Sequence, residues 1–309
     1  MTLRGGRYGG GKGGAQPAPE TPPLGSRTWL AALRRLPQGA LSRATGRLAR
    51  RPVARTLRPL VLGGFARAVG IDLSEAEKPL SEYRSIAELF TRRLVPGARS
   101  WPGEANSLAS PVDGTVGAVG RVQGGRAIQA KGRDYLVAEL LDDAAGAERF
   151  AGGAFITVYL APRDYHRIHT PLSGVVVAAK HLPGGLLPVN RSAVAHLPGL
   201  FVRNERLVCY LETAAGRVAV VAVGAYNVGL VSAGFDRRLV TNRPGAQPEE
   251  RRYRPPVEVL TGAEIMAFHL GSTVVALFEP GVELRRELRP GLRLLVGEEI
   301  GRVTNSSTK

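Results

Sequence analysis

Cysteine is almost missing from this chain: Cys209 stands alone in 309 residues. An intrachain disulfide and a cysteine-built zinc site are both excluded, and nothing favours an oxidising compartment. Aromatic residues make up only 6%. With no recognisable nucleic-acid motif and no stacking platform, nucleic acid is disfavoured as a partner. No segment reads as a membrane span. The longest uncharged stretch, residues 218–235, is Val-rich, carries Gly224, Gly229 and Gly234, and has Asn227 at its middle. It reads as two buried strands joined by a turn rather than as the ~20-residue apolar helix that spanning needs. The N-terminus has no compact apolar region of the signal-peptide kind, which predicts no secretion by that route. Acids are nearly missing there too: residues 1–70 hold 13 Lys and Arg against Glu20 alone.

That asymmetry locates the net charge. Of the formal +16, residues 1–70 carry +12 and the other 239 residues only +4. A near-neutral body with a basic arm points to a polyanion, and the alternative is a solvated tail. Residues 1–26, rich in Gly and Pro, have almost nothing to bury and read as disordered. From 27 to 70, Trp29, Leu30, Leu33, Leu48, Leu60 and Phe65 alternate with Arg. Helices with Leu and Trp on one side and Arg on the other suit an anionic bilayer interface, though a core-packing helix would show a similar pattern. This reading places the protein on a membrane, peripherally.

Residues 71–309 read as the globular domain. Ser74 with Glu77, and Ser85 with Glu88, have capping-box spacing and predict two short helices. β signals dominate from Ser110 on: strands are predicted at 115–122, 155–160, 174–180, 207–212, 218–223, 228–231 and 273–278, with short helices near 134–141 and 262–268. The fold class is α+β: a mainly antiparallel, barrel- or sandwich-like β body with short covering helices and an N-terminal amphipathic helical arm.

Three places hold candidate chemistry. Residues 159–171, YLAPRDYHRIHTP, put His166 and His169 beside a strand among Arg163, Asp164 and Arg167. His-x-x-His also matches half a metal site. Asp113 in SPVDG has ordinary turn chemistry, and Gly271-Ser272 before the last predicted strand is by itself a turn signal.

Together these segments resemble the phosphatidylserine decarboxylase family of the bacterial membrane-associated type. The resemblance runs in order from about Tyr83 to Gly281 through EYRSIAELFTRRL, SPVDG, IQAKGRDYLVAELL, YLAPRDYHRIHTP, LPGGLLPVN, FVRNERLVCYLET, VGAYNVG and HLGSTVVALFEPG. It implies self-cleavage between Gly271 and Ser272 into a large and a small chain that stay together as a heterodimer, with further oligomerisation open. It also implies conversion of Ser272 to a covalent pyruvoyl cofactor that engages the substrate amine. His169 is then the base for self-cleavage, Asp113 its orienting carboxylate, and His166 a candidate proton donor in decarboxylation. The implied partners are phosphatidylserine and an anionic membrane, at the cytoplasmic side of the cell membrane, with Arg163 or Arg167 as candidates for the lipid phosphate. Two rival readings are a metal-dependent hydrolase using His166, His169 and Asp113, which leaves Ser272 unexplained, and a non-catalytic membrane adaptor, which leaves the histidines unexplained.

Overall fold

Apolar runs such as VAVVAV and TVVALF do not alternate, and a strand buried on both faces needs no alternation. The computed structural model describes residues 38–130, 133–189, 191–225, 230–269 and 273–304. In chain order its strands are Ser107–Ala109 (β1), Gly114–Arg121 (β2), Arg126–Ala130 (β3), Arg133–Leu136 (β4), Ala154–Tyr159 (β5), Arg167–His169 (β6), Gly174–Leu182 (β7) and Arg206–Thr213 (β8). Gly216–Val223 (β9), Val231–Ala233 (β10), Glu249–Val259 (β11), Glu264–Phe268 (β12), Thr273–Phe278 (β13), Val282–Leu284 (β14), Arg293–Leu294 (β15) and Glu299–Val303 (β16) follow. The helices are Gln38–Ala49 (α1), Arg58–Val69 (α2), Ile86–Phe90 (α3), Val137–Leu141 (α4), Ala144–Glu148 (α5), Arg191–His196 (α6) and Leu200–Arg203 (α7).

An eight-stranded antiparallel sheet, ordered β11-β7-β8-β9-β13-β5-β2-β15, forms the centre. One face packs on the small sheet β10-β12-β6, through Ile168, Val231, Met266 and Phe268. The opposite face packs on the β3–β4 hairpin and α4 to α7, through Tyr135, Leu140, Leu200 and Phe201. Strand β13, fully buried between β9 and β5, belongs to both cores. The α+β, antiparallel expectation therefore holds. The barrel does not: β11 and β15 remain separate edges among the described residues.

Two expected helices are replaced. Residues 264–268 form β12, paired between β10 and β6, with Ile265, Met266, Ala267 and Phe268 all buried, so both of its faces are covered. Ser74 caps nothing; its N–H and hydroxyl both bond Asp72 Oδ1 in a local turn. Ser85 does cap α3, accepting from Glu88 N at 3.2 Å. In the arm, α2 is two-faced. Leu62 and Ala66 share a small core with Ile71, Tyr83 and Leu89, while Leu57 and Leu60 are 51% and 72% exposed. Residues 1–37, with the Gly/Pro-rich tail and Trp29, lie outside the described residues.

Candidate active site

Register places the site at one end of the central sheet. Thr115, Tyr159, Thr273 and Val223 are successive partners across β2, β5, β13 and β9. The turn bearing Asp113 and the start of β13 thus flank β5 at the same end of the sheet. Gly114 makes that turn possible: a Cβ there would lie 2.4 Å from the Tyr159 carbonyl oxygen, so only glycine fits. His169 joins them through its backbone, its N–H donating to the Pro111 carbonyl at 2.9 Å. Gly271 and Ser272 lie outside the described residues; His269 and Thr273 bracket them.

His169 is held in one tautomer. Nδ1 lies 2.7 Å from the Gly262 carbonyl and must carry the proton, so Nε2 is the basic nitrogen, 3.1 Å from the Tyr165 hydroxyl. Burial lowers the His169 pKa, against the Gly262 bond, and so keeps the ring neutral. Burial also pushes the Tyr165 phenol up to about 12, leaving it a donor to Nε2. The Trp101 ring stands 5.5 Å from that of His169 and packs on Gly262. Gly262 has φ +83, and a Cβ would come within 2.7 Å of the indole.

Asp113 is 2% exposed and does not bond His169 among the described residues. Its oxygens accept from Arg99 Nη2 at 2.7 Å, Arg99 Nε at 3.1 Å and Val296 N–H at 2.7 Å. Arg99 also binds Glu75, at 2.8 and 2.9 Å. Burial works against the Arg99 charge, but its bonds to Asp113 and Glu75 outweigh it and raise the pKa. The Gly262 carbonyl, not Asp113, therefore makes the orienting bond to His169; the charge of Glu264 and, less strongly, that of Asp113 also act on the ring.

His166 is fully buried beneath the Phe90 ring, centroid to centroid 4.0 Å. Its Nδ1 lies 2.8 Å from the Asp164 carbonyl and Nε2 has no hydrogen-bond partner. Burial drives its pKa down to about 3, so the ring is neutral with a bare Nε2 lone pair. Arg167 is committed to Glu264, at 2.6 and 2.7 Å, and to the Thr91 carbonyl. The Arg163 side chain is 55% exposed. Among the described residues no group of three His, Cys, Asp or Glu side chains is placed to hold a metal ion, and Asp113 is taken up by Arg99.

Sequence reasoning assigned no role to His269, Tyr165 or Arg99. His269 Nε2 lies 3.0 Å from Ser232 Oγ, and burial, then Arg50 and Arg167, lower its pKa to about 4. Only the position of His269 three residues before Ser272 could have flagged it.

The sequence profile of the phosphatidylserine decarboxylase family matches residues 86–302. Relatives named phosphatidylserine decarboxylase proenzyme include one from Anaeromyxobacter sp. (strain K), 51% identical over 281 residues, covering 90% of this chain and 99% of the relative. Another, from Myxococcus xanthus (strain DK1622), is 41% identical and covers 91% and 100%. A third, from Brevibacillus brevis (strain 47), is 40% identical and covers 90% and 98%. The match takes in both histidines, Asp113 and the Gly271-Ser272 bond. This chain belongs to the phosphatidylserine decarboxylase family.

Proposed function

We propose that the chain is a proenzyme that cuts itself between Gly271 and Ser272 and then converts phosphatidylserine to phosphatidylethanolamine and carbon dioxide at a membrane surface. The observation that carries this reading is the gathering of His169, the Asp113 turn and the start of β13 at one end of the central sheet's strands. In the first reaction Ser272 Oγ attacks the Gly271 carbonyl. The peptide C–N bond breaks, the amine stays on Ser272, and an ester joins the two residues. A serine hydroxyl needs a positioned base, and His169 Nε2, neutral and fixed in its tautomer by Gly262, supplies it. The Glu264 carboxylate and, less strongly, that of Asp113 favour the imidazolium that forms. Loss of the Ser272 α-proton then expels the Gly271 carboxylate. Water displaces the nitrogen of the resulting dehydroalanine as ammonia, leaving a pyruvoyl ketone.

That ketone supplies the electron sink for decarboxylation. The residues at hand fit it: two buried polar atoms have no hydrogen-bond partner, Thr273 Oγ1 on the residue that follows Ser272, and His166 Nε2. Phe90 shields His166 from water. His166 Nε2, the one ring nitrogen left without a partner, is the nitrogen we assign to proton delivery at the substrate carbon. Cleavage does not release the small chain, because β13 stays hydrogen-bonded between β5 and β9. The two chains form a heterodimer.

No helix among the described residues is long and apolar enough to cross a membrane. The exposed Leu57 and Leu60, beside Arg55 and Arg58, support peripheral attachment, which we place at the cytoplasmic side of the cell membrane. Leu57→Ser/Leu60→Ser leaves the buried face of α2 intact. It is expected to weaken sedimentation with anionic vesicles and turnover of bilayer phosphatidylserine, with self-cleavage unchanged. Each engaged Arg adds about 1 kcal/mol before screening, so salt weakens binding of the parent as well. Vesicle binding equal to that of the parent and insensitive to salt would remove the arm as the anchor.

A further inference from the structure

Arg92, just past α3, is 3% exposed, and among the described residues the only hydrogen bond of its side chain runs from Nη2 to the Arg163 carbonyl at 3.1 Å. Nε and Nη1 are buried without partners. The carboxylates that act on its charge, Asp113 and Glu75, are both bonded by Arg99 instead. Among the described residues no carboxylate lies within salt-bridge distance of Arg92. A buried guanidinium with unfilled donors and no counter-ion calls for an anion.

Space for one adjoins it. Arg92 lines a cavity of about 290 Å³ together with Lys78, Arg93 and Arg167, against Glu77 and Glu88. Four of these groups already have partners: Arg167 binds Glu264 closely and Arg93 reaches it at 3.7 Å, while Lys78 lies 3.6 Å from Glu88, which also accepts from the Arg84 N–H at 2.8 Å. Lys78 and Glu88 also border a wider groove of about 720 Å³ that Arg55, Arg58 and Arg84 line. A basic track therefore leads from the exposed apolar face of the arm inward to Arg92. Its inner end adjoins the histidine segment, since the Arg163 carbonyl accepts from Arg92 and the Thr91 carbonyl from Arg167.

We infer that this cavity is a phosphate-oxyanion site anchored by Arg92, with Lys78 and Arg93 at its mouth. The bound group is either the phosphodiester of a glycerophospholipid or free inorganic phosphate. Planar guanidinium donors suit phosphate oxygens, whereas Arg167, committed to Glu264, is not available for them. The inference deepens the substrate reading above, and only the kinetic arm of its test rests on that reading.

The test uses the full-length protein, with Arg92→Met and, as a variant confined to exposed side chains, Lys78→Met/Arg93→Met. Broadening of the phosphorus resonance of inorganic phosphate, and of water-soluble glycerophosphoserine, measures binding without turnover. Phosphate broadening by the parent is expected, at least tenfold weaker affinity in the double variant, and none measurable in Arg92→Met. The kinetic arm assigns the source. A KM for micellar phosphatidylserine raised tenfold or more, with kcat within about threefold, identifies the lipid phosphodiester. An unchanged KM alongside lost phosphate binding identifies free phosphate, and the site stands. No binding of either probe by the parent, or undiminished binding in the double variant or in folded Arg92→Met, overturns the site.

Discussion

Ser272→Ala is expected to give one uncleaved chain of 309 residues with no decarboxylase activity. The methyl group offers no oxygen to attack the Gly271 carbonyl, so no ester forms, no elimination follows and no ketone arises. The loss is total because a single atom is needed twice, first as nucleophile and then, as part of the ester, in the leaving group. The fold should survive. Strand β13 begins at Thr273, and all six of its residues are buried and paired on both sides whether or not the preceding bond is cut. Denaturing electrophoresis and far-ultraviolet circular dichroism read the two halves of this expectation. Two chains in the variant would remove Ser272 from its role.

The second large effect separates maturation from turnover. His169→Ala should accumulate proenzyme, with self-cleavage slowed about 10²- to 10⁴-fold, the ordinary contribution of a positioned base. Asp113→Asn should slow it too, through loss of the carboxylate field. That variant also leaves Arg99, with a side chain 8% exposed, short of one charged partner, at a cost of about 3–5 kcal/mol for a broken buried pair. Denaturant titration therefore has to accompany the Asp113 rate. His166→Ala should be cleaved at least in part and decarboxylate poorly. Normal turnover in that variant would end the proton-donor assignment. The pH profile adds a sign. Burial lowers the His169 pKa below the ordinary 6.5, so the base stays neutral as pH falls through that value. The self-cleavage rate should hold from pH 8 to below 6.5. A decline centred at or above 6.5 would mean that some other group is the base.

The sequence revealed the central sheet because β8, β9, β13 and β5 are buried on both faces and so appear as unbroken apolar runs. Strand β11 escaped notice. It is a sheet edge dense in charge, Glu249 to Arg252 in a row, with Pro255-Pro256 at its bulge, features that blunt an edge and also erase the strand signal. Strand β12 was expected as a helix because five residues, EIMAF, are too few to distinguish the two periods. At the site, motif spacing made Asp113, His166 and His169 legible, but not their partners. Arg99 lies 14 residues from Asp113, Gly262 93 from His169, and Arg163 71 from Arg92. Such pairs exist only once the chain has folded. The amphipathic arm was legible as apolar and basic, whereas the division between a face of α2 packed on Tyr83 and Leu89 and the exposed Leu60, with Leu57 just before the helix, follows from what it packs against.

Self-processing is the claim on which the rest depends, and intact-mass measurement of the purified protein under denaturing conditions tests it most directly. The account predicts two chains, residues 1–271 and 272–309. The smaller should be lighter by one ammonia than the same chain with an N-terminal serine, and the larger should end in the free carboxylate of Gly271. A single unmodified chain from a preparation that turns over phosphatidylserine, or a small chain with serine intact at its start, would contradict it.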